Sequence, residues 1–285
     1  MAETILVTGA TGYVGGRLLE GLDGKDVRAL ARTPENADLD VPAVKGDVVS
    51  GDGLDEALEG VDVAYYLVHA MGQKGDFSER DRRGATNFGA AAARAGVRRV
   101  VYLGGLEGAV SEHLRSREEV ATILARHVPT VHARAAMVIG EGSASFVMLR
   151  KLTERLPAMI TPRWLDTRTQ PIAIRDVVGA LAALAELDDP PDEVQLGGAD
   201  VLTYREMIER LRRVRGLRRR VVVPVPVLTP QLSSYWVTLV TGVDRALVMP
   251  LVEGLSAEMT VKTPPPPGVN DDPLGFEDAV AAALA

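Results

Sequence analysis

Thr4 to Leu22 reads TILVTGATGYVGGRLLEGL, and three local patterns follow one another within it. The apolar run at 5–7 predicts a buried strand, and the leucines near its end predict an amphipathic helix. Between them, we expect Gly9 to turn the chain off the strand, Gly12 to let the backbone approach a pyrophosphate, and Gly15 to let the helix pack tightly on the sheet. This order predicts the phosphate cradle of a dinucleotide-binding fold, and a purely structural turn is the alternative.

The composition is that of a globular protein with a sizeable core. Hydrophobic residues make up 46% of the 285 residues and charged residues 25%, as is usual for folded domains. This length accommodates one large α/β domain or a nucleotide-binding core with a smaller lobe. The net charge of −7 argues against a nucleic-acid partner. The chain enters a core strand at once, which predicts no signal peptide and a cytoplasmic location.

Residue content excludes two classes of site. The chain has no cysteine, which excludes disulfides, thiol catalysis and iron–sulfur ligation by cysteine. Its four histidines, at 69, 113, 127 and 132, form no H-x-x-x-H pair. We therefore expect no metal centre.

An arginine ends the second predicted strand. Residues 27–31 predict this strand, and Arg32 follows. At this place an acidic residue binds the 2′-hydroxyl of NAD, whereas an arginine suits the 2′-phosphate of NADP. The first acid, Glu35, comes only after Pro34. Arg32 therefore favours NADP(H) over NAD(H), and a merely solvated arginine is the alternative.

Polar residues also mark the ends of the third and fourth predicted strands, at 44–48 and 61–68. Asp47 stands in the sequence Gly-Asp-Val, and His69 follows the fourth strand. Ligands of parallel sheets lie beyond the carboxyl ends of the strands. We therefore expect Asp47 near the adenine and His69 near the middle of the cofactor. Each residue has a capping or turn role as its alternative.

Strand and helix patterns alternate through the first half of the chain. After a polar loop at 72–76, the sequence predicts a helix at 77–95, a strand at 97–103, a helix at 111–127 and a strand at 130–139. This alternation predicts an α/β fold with a Rossmann-type, doubly wound parallel sheet. We expect a core at 1–140, and a C-terminal part at 141–285 in which a smaller substrate-binding lobe interleaves with the last core elements.

The second half is less regular. Helices are predicted at 144–156, 175–187, 204–215 and 276–284, a loop at 157–171, a strand at 194–196 and a β-rich run at 221–227. The apolar stretch 228–255 is interrupted by Asp244, Arg245 and Pro250, so core or pocket-wall helices are expected rather than a membrane span. The arginines between 210 and 220 are interpreted as a solvated helix face.

Several motifs together carry a family resemblance. They are TGATGYVG at 8–15, GDV at 46–48, AYYLVHAM at 64–71, HLRSREEVATIL at 113–124, RAAMVIG at 134–140 and TQPIAIRDV at 169–177. In this order the chain resembles the short-chain dehydrogenase/reductase superfamily, and within it the atypical NmrA-like NAD(P)H-binding proteins. The resemblance implies the following cofactor-binding residues: Gly9, Thr11, Gly12, Tyr13, Val14, Arg32, Asp47, Val48, Val68, His69, Ala70, Gly104 and Arg117.

The usual catalytic residues of that superfamily are replaced. A serine after the fifth strand and a Tyr-x-x-x-Lys on the next helix normally reduce a carbonyl. Here the serine region is Gly104-Gly105, and the helix offers His113-x-x-x-Arg117. That spacing still places both side chains on one helix face. Arginine cannot relay a proton, and a histidine beside a fixed positive charge is a poor acid at neutral pH.

Two functions from different classes follow. One is an NADPH-dependent reductase of a quinone, quinone methide, iminium or activated alkene, with His113 or Arg117 stabilising the resulting anion. The other is a non-catalytic NADP(H)-binding sensor or regulator. A small apolar or aromatic substrate is expected, in a pocket that includes Met71, Met137, Tyr235 and Trp236. The sequence leaves the oligomeric state open.

Overall fold

The computed structural model describes most of the chain. The described residues are 3–69, 77–106, 112–155, 158–161, 163–218, 221–224, 235, 237–238, 242, 248, 252 and 254–285. For 112–113, 158–161, 163 and 221–224 only the backbone is considered. The predicted loop at 72–76 and most of the apolar stretch 228–255 lie outside the described residues.

One parallel sheet of seven strands organises the fold. Its order is β11-β6-β5-β4-β1-β2-β3, and every neighbouring pair is parallel. From β3 to β6 this is the strand order of a doubly wound dinucleotide-binding sheet. The strands are β1 (Thr4–Thr8), β2 (Asp26–Ala31), β3 (Ala43–Lys45), β4 (Val63–Tyr66), β5 (Arg99–Gly105), β6 (Thr130–Ala135), β7 (Val138–Ile139), β8 (Ala158–Thr161), β9 (Arg168–Thr169), β10 (Ile172–Ala173), β11 (Glu193–Leu196), β12 (Leu202–Thr203) and β13 (Val221–Pro224).

Helices cover both faces of the sheet. They are α1 (Tyr13–Gly21), α2 (Leu54–Leu58), α3 (Phe77–Ala95), α4 (Glu112–Ala125), α5 (Ala144–Arg155), α6 (Ile174–Glu186), α7 (Tyr204–Val214) and α8 (Phe276–Leu284). Side chains of α1 and α6 share one buried cluster with the sheet, and those of α2, α3 and α4 share another on the opposite face. The predicted doubly wound α/β fold is therefore confirmed.

A third buried cluster lies in the second half of the chain. It joins side chains of α5, α7 and α8. The helix α6 and the strand β11, however, belong to the main sheet although they follow residue 140. The division at residue 140 stays a prediction. Within the described residues, no helix is long and apolar enough to cross a membrane.

The third strand ends at Lys45 and not at residue 48, so Asp47 lies past it. The structure also corrects two further predicted elements. The sixth strand does not run from 130 to 139: β6 ends at Ala135, and β7 pairs instead with β10. The predicted loop at 157–171 contains β8, β9 and a 3₁₀ turn at Arg163–Asp166. Both differences have the same reason. Short strands such as β7, β8 and β9 depend on partners elsewhere in the chain, which the local sequence does not reveal. The strand β8 pairs with β13, and β9 pairs with β12.

The arginine-rich run is not a uniformly solvated face, in contrast to the interpretation above. Arg212 is buried, and its guanidinium pairs with Glu209 and donates to the carbonyl oxygen of Leu217. Arg210 bridges Asp200 and Glu277, at 3.2 Å from each. These contacts tie α7 to its surroundings, and local sequence could not reveal them because Asp200 and Glu277 come from other segments.

Candidate functional site

The sheet brings the predicted site residues to one edge. The carboxyl ends of β1, β2, β3, β4 and β5 are neighbours in the sheet. The glycine turn follows β1, Arg32 follows β2, and Asp47 lies just past β3. His69 lies just past β4, and Gly104 is the second-to-last residue of β5. Ligands of open parallel sheets bind along such an edge.

The glycines of the first turn have different neighbours. Gly9 adopts φ +67°, and a Cβ there would lie 2.7 Å from the carbonyl oxygen of Leu67. A Cβ on Gly15 would lie 2.2 Å from the carbonyl oxygen of Gly9, so this glycine lets α1 approach the turn itself. Among the described residues, a Cβ on Gly12 would meet that same oxygen, at a tight 3.0 Å. Gly12 itself is exposed, so its backbone is accessible to a ligand.

The first turn of α1 fits an anionic group. Gly12 is its N-cap residue and supplies no side-chain cap. Thr11 and Gly12 are exposed, and Val14 is half-buried. The uncapped N–H groups of a helix N-terminus bind phosphate well, and the helix dipole favours negative charge there. An exposed glycine and an uncapped helix start therefore suit the pyrophosphate of a dinucleotide.

The Tyr13 side chain turns towards the C-terminal half. A Cβ on Gly140 would lie 2.0 Å from its hydroxyl oxygen, and a Cβ on Gly142 would lie 3.6 Å from its ring. Burial raises the pKa of Tyr13, while the charge of Arg17 acts in the opposite direction. A cofactor contact by Tyr13 stays a prediction, and its phenol contacts the turn after β7.

Local hydrogen bonds hold the Gly-Asp-Val segment after β3. The carboxylate of Asp47 accepts from the N–H of Val49 at 2.7 Å. The side chain of Asn87, on α3, donates to the carbonyl oxygens of Val48 and Val49, at 3.0 Å each. Asp47 therefore has the turn role that the sequence offered as the alternative to a cofactor contact. Its contact with the adenine stays a prediction.

Aromatic side chains form a row beneath the ends of β4, β5 and β6. The Tyr102 ring lies 5.7 Å from the ring of His69 and 5.1 Å from that of His132. His69 Nε2 lies 3.2 Å from the carbonyl oxygen of Leu103. Val68 is half-buried and packs against the cluster that contains α2, α3 and α4. The strand ends are therefore linked through side chains as well as backbone pairing.

His132 occupies the space beside Gly104. A Cβ on Gly104 would lie 2.1 Å from His132 Nε2. Only 6% of His132 is exposed, and within the described part of the chain Nε2 has no hydrogen-bond partner. Burial lowers the pKa of His132 to about 3, and the charges of Arg134 and Arg117 act in the same direction. The imidazole is therefore neutral at physiological pH.

The helix α4 stands over this region. A Cβ on Gly105 would lie 3.0 Å from Leu114 Cδ2, so the first turn of α4 lies against the end of β5. Arg117 is half-buried, and its charge acts on both Tyr102 and His132. The structure thus brings Arg117 and Gly104 to one region. His113 lies in α4, but its side chain is outside the described residues.

The structure describes two of the four predicted substrate-pocket residues. Met137 is half-buried and packs against the cluster of α5, α7 and α8. Tyr235 is 55% exposed. Ala70, Met71 and Trp236 lie outside the described residues. Within the described ranges, no group of three or more histidine, aspartate or glutamate residues could hold a metal ion.

Sequence reasoning missed three residues that shape the site. The Thr8 hydroxyl donates to the carbonyl oxygen of Tyr65 and accepts from the N–H of Leu67, which joins the ends of β1 and β4. Tyr102 and His132 face each other across β5 and β6. Their only mark in the sequence is a polar group within an apolar strand, and this pattern does not reveal which residue each side chain contacts.

Comparison with known proteins identifies the family of the chain. The NAD(P)H-binding family matches residues 9–153, just over half of the chain. Sterol demethylase protein B of Methylococcus capsulatus is 35% identical over 127 residues. That alignment covers 39% of this chain and 39% of the relative, so the chain matches less than half of the relative's length.

Two solved structures share the fold over nearly the whole chain. Triphenylmethane reductase of Citrobacter sp., complexed with NADP(H), is 21% identical with a TM-score of 0.77, covering 99% of this chain and 100% of that one. The NADPH-dependent quinone oxidoreductase QOR2 of Escherichia coli, complexed with NADPH, is 17% identical with a TM-score of 0.75 and the same coverage. The family match and the carboxyl-edge site lead to one conclusion: the chain belongs to the NAD(P)H-binding family of NmrA-like, atypical short-chain dehydrogenases/reductases.

Proposed function

We propose that this protein is an NADPH-dependent reductase that acts without a Ser/Tyr/Lys triad on a quinone-like, iminium or activated-alkene substrate. The observation that carries the proposal is the crowding of Gly104 at the end of β5. Any Cβ on Gly104 would lie 2.1 Å from His132 Nε2. A serine hydroxyl has no room there without movement of His132. NADPH supplies a hydride when bound, so the substrate is one that accepts hydride without an enzyme acid.

Nearby tyrosines do not replace the missing acid. Tyr66 and Tyr102 are 1% and 0% exposed. Burial raises the pKa of both above the usual range for tyrosine. Since neither hydroxyl reaches the surface, neither can meet a substrate. The neutral His132 is likewise buried, against Tyr102 and Gly104 of β5.

Arg117 is the group proposed to stabilise the product anion. It keeps its charge at any working pH, and it is half-buried beside Tyr102 and His132. A positive charge in such surroundings stabilises developing negative charge more strongly than it would in water. Quinones and activated alkenes leave a delocalised anion after hydride addition, so electrostatic help is sufficient for them.

The related folds support this substrate class. A triphenylmethane reductase and a quinone oxidoreductase both share the architecture over almost all of this chain. Met137 and Tyr235 would contribute to an apolar pocket wall for a small aromatic substrate. The alternative function, a non-catalytic NADP(H) sensor, is favoured by the change of all three catalytic positions.

Arg32 supports NADPH over NADH. It is exposed directly after β2, where a guanidinium can bind a 2′-phosphate. One charge-assisted contact contributes about 1.5–3 kcal/mol. We expect NADPH to bind more tightly than NADH by calorimetry, and Arg32→Ala to remove most of that difference. Equal affinities in the wild type would contradict the preference.

A panel of hydride acceptors tests the proposed reaction. We expect the protein to oxidise NADPH with 1,4-naphthoquinone and not with cyclohexanone, because only the quinone needs no proton donor. Calorimetric titration with NADPH, on the same preparation, separates the two functions. Tight cofactor binding without turnover of any acceptor would favour the sensor.

A further inference from the structure

We propose that Lys45, at the end of β3, is a second cation for the 2′-phosphate of NADP(H), beside Arg32. This inference rests on the proposed preference for NADPH. No motif in the sequence marked Lys45, because its relation to Arg32 exists only in the folded sheet.

The pairing of β2 with β3 brings the two cations together. Ala31 is the register partner of Lys45, and the N–H of Gly46 donates to the carbonyl oxygen of Ala31 at 3.0 Å. Arg32 follows Ala31 directly. Adjacent strands lie about 4.8 Å apart, so the backbones of Arg32 and Lys45 lie close together at the carboxyl edge of the sheet, where both long side chains can reach one ligand.

The alternation of β3 sets the direction of Lys45. Ala43 packs against the cluster that contains α1, and Val44 packs against the cluster on the other face. Side chains alternate along a strand, so Lys45 returns to the face of α1. The uncapped start of α1 lies at this same carboxyl edge. Lys45 therefore stands where the adenosine end of a dinucleotide would lie.

Both cations are accessible, and they are not neutralised by their neighbours. Arg32 and Lys45 are exposed, and among the described residues neither forms an ion pair or a side-chain hydrogen bond. Two acids near them in the sequence are engaged locally, whereas Glu35, Asp38 and Asp40 form no ion pair among the described residues. Asp47 accepts from the N–H of Val49, and Asp52 accepts from the hydroxyl of Ser50 at 2.6 Å. Glu35 is exposed in the 3₁₀ turn after Arg32.

A phosphate monoester is the ligand that this arrangement suits. It carries a charge of about −1.5 to −2 at neutral pH. Arginine binds phosphate through a planar fork, whereas lysine contributes a mobile point charge. A 2′-hydroxyl offers no charge to either residue. Two cations at this edge therefore discriminate between NADP(H) and NAD(H) more strongly than Arg32 does alone.

Fragment binding isolates this contact from catalysis. Calorimetry with 2′,5′-ADP and with 5′-AMP measures the contribution of the 2′-phosphate, and NADPH and NADH measure it in the whole cofactor. We expect Lys45→Ala to weaken 2′,5′-ADP and NADPH about 5- to 10-fold while leaving 5′-AMP and NADH unchanged. Lys45→Arg should retain the affinity. In 1 M salt the difference should shrink, because the Debye length falls to about 3 Å.

Lys25→Ala is the matched control. Lys25 precedes β2 at the opposite edge of the sheet and pairs with Glu186 at 2.6 Å. Its loss changes the net charge as Lys45→Ala does, yet we expect it to leave all four affinities unchanged. Wild-type affinity for 2′,5′-ADP in Lys45→Ala overturns the inference, and so does an equal loss for all four ligands. If Lys45→Ala leaves the preference for NADPH unchanged while Arg32→Ala removes it, the inference fails while the NADPH preference stands.

Discussion

Gly12 and Gly104 both stand at carboxyl ends of central strands, yet their surroundings differ. Among the described residues, a Cβ on Gly12 would meet the carbonyl oxygen of Gly9 at 3.0 Å, whereas a Cβ on Gly104 would lie 2.1 Å from His132 Nε2. The first glycine is exposed, so its backbone is accessible to a ligand. The second leaves room for a side chain of the protein itself. One part of the site is thus built for the cofactor in the usual way, and the other is closed to the usual catalytic serine.

The largest effect is expected in the cradle. Gly12→Val should abolish NADPH binding, by at least about 100-fold, since a side chain would occupy the place of the pyrophosphate. Circular dichroism should still show a folded protein, because among the described residues the crowding is limited to the carbonyl oxygen of Gly9, at 3.0 Å. Gly179→Val is the control, since a Cβ at Gly179 meets nothing within 4 Å. Normal binding by Gly12→Val would place the phosphate site elsewhere.

The helix α4 provides the second comparison. Arg117→Ala should slow NADPH oxidation by 1,4-naphthoquinone on the order of 100-fold, or weaken cofactor binding, because a fixed charge is lost. His113→Ala should have a smaller effect. Arg117→Lys, which keeps the charge, should retain part of the activity. If both alanine variants behave as the wild type in kinetics and in cofactor titration, α4 carries no chemistry.

Much of this site followed from local sequence. The cradle was predictable because a strand, three glycines and a helix lie within 19 residues, and α3 and α8 were predicted with their observed bounds. The contact between His132 and Gly104 was not predictable, because it depends on the pairing of β5 with β6. The same reason applies to Lys45, whose proximity to Arg32 comes from strand register alone.

Removing the His132 side chain should make room for a serine at position 104. Gly104→Ser should destabilise the protein by about 2 kcal/mol through overpacking against His132. In a His132→Ala background the same substitution should cost less than about 1 kcal/mol, because the imidazole is gone. Urea unfolding of the four proteins gives the coupling free energy. An equal cost in both backgrounds would mean that His132 does not exclude the serine.

An effect of similar size is expected from the ionisation of His132. Its pKa is about 3 in the folded protein and about 6.5 when unfolded, so the unfolded chain takes up the proton first. The stabilisation is complete above pH 6.5 and is lost as the pH falls towards 3. Between pH 7 and pH 5 this amounts to about 2 kcal/mol. His132→Gln should remove that part of the pH dependence, as measured by urea unfolding, and an unchanged pH dependence would contradict it.

Hydride transfer without an enzyme acid is tested most directly by one rate. This is the single-turnover rate of NADPH oxidation by 1,4-naphthoquinone, measured between pH 6.5 and 9 in H₂O and in D₂O. Since Arg117 keeps its charge and His132 stays neutral over this range, we expect a rate constant that varies less than about twofold with pH and shows no solvent isotope effect. A rate that requires a protonated group, or a clear solvent isotope effect, would contradict the account.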